Sequence, residues 1–184
     1  MKHTVIHRRI AIAYRHQRGA SLLEGIAYLG IAAIVILGAV SLLTGAFSSA
    51  QSNRLAEEVV SIRTGVKKLY MGQANSYGAA AATPLNAIVA SARVFPGTLA
   101  VVIATGATTN AWGGTVTVTG NVTTFDIVYT LVPQDVCVSV LSGASGWNTI
   151  VVTGGAAITT NPVTPAQANG ACTLAANTIT WTSN

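Results

Sequence analysis

The sequence predicts an α+β protein: a long N-terminal α-helix, half of it transmembrane, packed on a C-terminal antiparallel β-sheet head. Three observations point there. Gly25 to Phe47 carries no ionisable side chain except the phenol of Tyr28. Apolar residues at helical spacing then continue to Tyr70, and no proline interrupts Ala20 to Thr83. Beyond Pro96-Gly97 the chain turns to Thr, Val, Gly and Asn with little charge, in strand-like segments.

The helix comes first in the chain. The 23 residues from Gly25 to Phe47, at a rise of about 1.5 Å each, are long enough to cross a hydrocarbon core of roughly 30 Å. Leu55, Val59, Ile62, Val66, Leu69 and Tyr70 then form an apolar stripe, with Arg54, Glu57, Glu58, Arg63, Lys67 and Lys68 on other faces. Residues 20–70 therefore read as one nearly continuous helix, roughly 75 Å at full α rise. Its residues 20–47 are expected in membrane or filament core, and 48–70 against a head. Gly30, Gly38 and Gly45 permit close helix approach in an apolar medium. Gly38 to Gly45 is expected to be the softest stretch.

Residues 71–184 read as the head. Gly72 to Gly78 supplies helix-stop residues. Leu85 to Val94 reads as a short helix with Leu85, Ile88, Val89 and Ala92 as its stripe, ended by Pro96-Gly97. Strands are expected over Thr115–Thr119 and Thr124–Leu131, separated by a Gly120-Asn121 turn, and over Trp147–Thr153 and Asn177–Thr182. Pro133 to Leu141 reads as a short helix with Val136, Cys137 and Val140 on one side, and Thr159 to Gly170, with two prolines, as a loop.

Charge is distributed unevenly. The net charge is +5. Residues 1–19 hold Lys2, Arg8, Arg9, Arg15 and Arg18 with no acid, whereas the rest of the chain balances five cations against five acids. The excess is thus a basic segment abutting an apolar one, the arrangement held cytoplasmic by the positive-inside bias. It argues against direct nucleic-acid binding. Glu24 sits just inside the apolar run, where an acid costs roughly 2.5–3.5 kcal/mol at a bilayer centre and less near the interface. That cost calls for a cationic partner.

In an ordinary secretory signal the cleavage site follows the apolar core. Here the basic residues run directly into Arg18-Gly19, and the apolar run comes afterwards. Gly19, Ser21-Leu22-Leu23 and Glu24, with the helix that follows, closely resemble the signal of type IV pilins and pseudopilins. The resemblance implies cleavage after Gly19 by a prepilin peptidase, which removes residues 1–19 and leaves a free, methylated amine on Ala20. It also implies that Glu24, fifth in the processed chain, pairs with a neighbouring subunit's N-terminus. Many pilins carry Phe or Met where this chain has Ala20. The nineteen-residue leader resembles type IVb, as do Asn110 to Val116 and Ile179-Thr180-Trp181, so the expected subunit is a major pilin of the PilS-like group.

Cys137 and Cys172 are the only cysteines. Outside the cytoplasm, pairing is their default; two buried free thiols are the alternative. Type IV pilins carry a disulfide bounding a C-terminal loop of the head, and the resemblance implies that Cys137–Cys172 is that bridge. His3, His7 and His16 all lie in the leader, so the processed chain holds no histidine. Asp126 is expected to face solvent from a strand, and Asp135 to sit in the first turn of a short helix. No catalytic, cofactor-binding or metal-binding residue is expected, and the protein is not expected to be an enzyme.

The expected function is assembly into a helical homopolymer for adhesion or conjugative mating. Before assembly the chain would rest in the inner membrane with a periplasmic head, engaged by the peptidase and the pilus assembly machinery; afterwards it would be extracellular. A minor pilin, a type II secretion pseudopilin, and an uncleaved single-pass membrane protein with an extracellular binding domain are the alternatives.

Overall fold

Leu22 to Tyr70 forms one α-helix, α1, as its unbroken run of helix-compatible residues requires. The computed structural model describes residues 21–73 and 76–184. Gly19 and Ala20 lie outside the described residues, as do Ala74 and Asn75 of the segment expected to stop the helix. The chain divides into two compact units between Leu42 and Leu43.

In the first unit the described residues belong to α1 and its N-terminal boundary. The Ser21 carbonyl accepts the amides of Glu24 (2.8 Å) and Gly25 (3.1 Å), which starts the helix. Leu22, Leu23, Ile26, Leu29, Ile31, Ile34, Val35, Ile36, Leu37, Val40 and Leu42 are all exposed. No part of this apolar stretch is buried.

The second unit begins inside α1. Leu55, Val59, Ile62, Val66 and Tyr70 are buried at helical spacing, as the stripe predicts. Leu69 is not: it points outward at 37 % exposure, because Tyr70 takes the inward position one turn after Val66. Gly65 admits Val94, whose side chain occupies the space a Cβ would need.

The sheet has five strands in the order β1-β4-β5-β7-β6, every pair antiparallel. These are β1 (Thr83–Pro84), β4 (Val116–Asn121), β5 (Thr124–Pro133), β6 (Thr149–Val152) and β7 (Ala176–Ser183). A separate hairpin pairs β2 (Ala100–Val102) with β3 (Ala107–Thr109). Neither that hairpin nor β1 is apparent from the sequence, since two- and three-residue strands carry too few residues to show a period of two. Alternation puts Val116 and Val118, Phe125, Ile127 and Tyr129, and Ile179 and Trp181 inside, where they share one core with the stripe of α1.

Three helices complete the head: α2 (Asn86–Ser91), α3 (Gln134–Leu141) and α4 (Pro165–Ala171). In α2 the inward residues are Leu85, Val89 and Ala90, while Ile88 and Ala92, expected in the stripe, are exposed. Only one turn separates the ends of this helix, so its facing is set by its neighbours rather than by its own period. In α3, Val136 and Cys137 are buried and Val140 partly so, as expected, and Leu141 joins them.

Two turn expectations are corrected. Gly120 and Asn121 lie within β4, and the connection is Val122-Thr123, with Val122 at φ 62°. Gly120 serves close approach instead, since a Cβ there would collide with the Tyr77 carbonyl. The expected loop over Thr159 to Gly170 contains most of α4. Its prolines mislead because Pro165 occupies the first helical position, where a missing N–H costs nothing. Thr164 and Gln167 close a reciprocal capping box around it.

Candidate assembly site

The first unit presents a single carboxylate on an uncovered apolar helix. Glu24 and Tyr28 are one turn apart and both exposed. The Tyr28 phenol donates to Glu24 Oε1 at 3.5 Å. The helix is long and apolar enough to cross a membrane.

The second unit shows how a head is fastened to the polar half of α1. Glu58, only 6 % exposed, accepts from Arg54 Nε at 3.0 Å, Thr98 Oγ1 at 2.6 Å and Tyr129 Oη at 3.3 Å. Arg54 also donates to the Thr98 carbonyl. A buried carboxylate is tolerable only with such partners. Here they tie α1 to the Thr98 loop and to the central strand β5. Burial, and then the neighbouring Glu58 charge and hydrogen bond, push the Tyr129 phenol well above its ordinary value, against a smaller opposing effect of Arg54.

Further fastenings lie to either side. Ser48 donates to Asp135 Oδ2 at 2.5 Å, joining α1 to the first turn of α3. Trp112 Nε1 donates to Gln51 Oε1 at 2.7 Å. The loop carrying Trp112 is held by Asn110, whose Oδ1 accepts the amides of Trp112 and Gly114 and whose Nδ2 donates to the Thr130 carbonyl. The Arg63 guanidinium lies 4.6 Å from the Trp147 ring centroid, and its Nε donates to Ser183 Oγ at 3.0 Å. Burial lowers the affinity of Arg63 for its proton. The same cause, followed by the Arg63 charge, acts on Lys67.

Cys137 in α3 and Cys172 at the end of α4 are bonded, with Cα atoms 6.0 Å apart, and both are fully buried. The bridge therefore encloses β6 and α4.

The family model described as PilS N terminal matches residues 49–184. The chain belongs to the PilS family of type IV pilins. Among solved structures, the pilin is similar to TcpA, a type IV pilin from Vibrio cholerae El Tor biotype, with a TM-score of 0.50. The two are 14 % identical, and the match covers 73 % of this chain and 99 % of that one. Such a likeness shows a shared fold. No curated protein matches.

The pilin family and fold are structural and non-enzymatic. Asp126, expected to face solvent, is half-buried and accepts from Asn121 Nδ2 and Thr182 Oγ1, each at 2.6 Å; it braces β4 and β7 across β5. Asp135 lies in the first helical turn as expected. Among the described residues no group of three or more His, Cys, Asp or Glu could hold a metal.

Sequence reasoning missed Gln51, Glu58 and Arg63 as fasteners and passed over the hydrogen bond of Trp112. One signal was available: Arg54 and Glu58 are spaced i,i+4, the separation at which helix side chains meet. The same pattern also fits a solvated pair, so the spacing alone would not have shown that Glu58 is buried.

Proposed function

We propose that this pilin is the major subunit of a type IVb pilus. The prepilin peptidase cleaves it after Gly19, and the Ala20 amine of one copy meets Glu24 of another in a helical filament. The observation that carries this reading is the first unit of the chain: an apolar helix uncovered on every side, with Glu24 as its one acid. Such a surface is covered either by lipid or by other copies. Beyond its own helical turn, a Cβ at Gly30, Gly38 or Gly45 would meet nothing within 4 Å among the described residues, which leaves close approach of a neighbouring helix as their use.

The energetics favour coupled pairing and burial. Glu24 in an apolar medium is costly until a cation reaches it. Removal of residues 1–19 strips off five basic side chains and creates an amine four residues before Glu24. Because the contact joins different surfaces of successive subunits, it propagates as a helix rather than closing. The subunit waits in the inner membrane with its head periplasmic and ends in an extracellular filament that serves adhesion or conjugative mating. Within that filament Gly38 to Gly45 gives way first, since each glycine costs about 0.8–1 kcal/mol of helix propensity relative to Ala. Amide protection there equal to that of the flanking residues would exclude it.

Mass spectrometry of sheared surface filaments tests the reading: the subunit should begin at Ala20, with Met1 to Gly19 absent. Glu24→Gln should be inserted and cleaved normally yet give few filaments. Wild-type piliation by that variant would overturn the pairing role.

A further inference from the structure

Glu24 has partners on offer in two directions. It follows Ser21 by three residues in the first turn of α1, the spacing at which a helix-start carboxylate folds back onto backbone N–H groups. In a processed chain its own Ala20 amine precedes it by four residues. An acid turned backward would pair within its own chain and be lost to assembly.

The hydrogen bond described for the Glu24 carboxylate runs the other way, from the Tyr28 phenol to Oε1 at 3.5 Å. Helical side chains lean toward the N-terminus, so residue i+4 reaches back over residue i, and Tyr28 is placed to take the acid from its C-terminal side. Tyr28 is the sole ionisable side chain between Gly25 and Phe47. In water a phenol at this distance would compete poorly with solvent; in an apolar surrounding no solvent competes, and a donor to a charged group gains weight.

We propose that Tyr28 is a positioning residue for Glu24. It holds one carboxylate oxygen toward the C-terminal side of the helix and leaves the other for the amine of a second copy. It thereby favours pairing between chains over pairing within one. This rests on the reading that Glu24 pairs with an Ala20 amine.

The test uses full-length chains processed in cells. Tyr28→Phe keeps the ring and loses the donor; Tyr28→Gln loses the ring and keeps a donor. Filament yield per processed subunit should fall about tenfold in Tyr28→Phe, the loss of one hydrogen bond to a charged group, and recover substantially in Tyr28→Gln. Dicyclohexylcarbodiimide, an apolar reagent that condenses carboxylate with amine by loss of water, then reads the geometry. Wild type should give Ala20–Glu24 linkage between chains, seen as covalent dimers; Tyr28→Phe should shift it toward monomers lighter by one water. Normal yield in Tyr28→Phe, an unchanged dimer-to-monomer ratio, or equal loss in both variants would overturn the positioning role while leaving the pairing intact. Normal filaments from Glu24→Gln would instead remove the pairing, and this proposal with it.

Discussion

One helix, α1, meets two opposite environments along its length. Ile34, in the first unit, is 73 % exposed, whereas Ile62, in the second, is wholly buried. The residue type is the same and the backbone conformation is the same. What differs is the supply of partners. Around Ile62 the chain provides its own cover, in a core shared with Phe125, Tyr129 and Trp181. Around Ile34 the described residues provide none. The hydrophobic effect is non-directional and acts on both stretches, so the first must be satisfied by lipid or other molecules and the second is satisfied on folding. Polar side chains follow the same division. Glu58 has three donors from its own chain, and Glu24 has one long contact from Tyr28.

Five variants would break or sharpen that contrast. All three tryptophans lie in the head, so their fluorescence during thermal or denaturant unfolding in detergent reports on the second unit alone. The largest effect is expected from Cys137→Ser with Cys172→Ser, because closing a loop of this length constrains the unfolded chain by about 4 kcal/mol. The head midpoint should fall steeply, and reductant should destabilise wild type but not the double variant.

Next comes Ile62→Ala, which should cost the head about 3 kcal/mol as a buried truncation. Ile34→Ala should leave the same transition where it was. An equal loss from both would show that the two stretches of α1 are not energetically distinct.

Tyr129→Phe should cost about 1 kcal/mol through the lost hydrogen bond to Glu58. It also carries a pH signature. Since the folded phenol holds its proton more tightly than the unfolded one, the stability it contributes is full below the unfolded value of about 10. That stability is lost as pH rises beyond it, because the unfolded chain then binds fewer protons. The wild-type melting temperature should therefore decline above about pH 10 more steeply than that of Tyr129→Phe. The smallest effect is expected from Glu57→Ala, an exposed position beside buried Glu58, which should move the midpoint by less than about 0.5 kcal/mol.

Legibility differed by element. The stripe Leu55, Val59, Ile62 and Val66 was readable because about three turns of one period over-determine a face. Strands β5 and β7 were readable because alternation over eight or more residues does the same. Leu69, Ile88 and Ala92 were misassigned where a stripe ended or spanned a single turn, so one neighbour could outweigh the period. In α4 the local signal was present, but Pro162 and Pro165 outweighed the capping pair Thr164 and Gln167. The fasteners of the head were mostly illegible. Trp112 and Gln51 are 61 residues apart, and Arg63 and Ser183 are 120 apart; no local pattern links such partners.

By itself the sequence determined the long helix, the division of its side chains into an all-apolar stretch and an amphipathic one, and the single acid within the first. These are properties of spacing and composition, which local geometry converts directly into faces. Only the tertiary structure decided the strand order, which segments pair at the sheet edges, and that Glu58 rather than Glu57 is buried with three donors. Those outcomes depend on chain segments far apart in sequence meeting in space, where close packing and the need to satisfy each buried polar atom select one arrangement among many that the local signals allow.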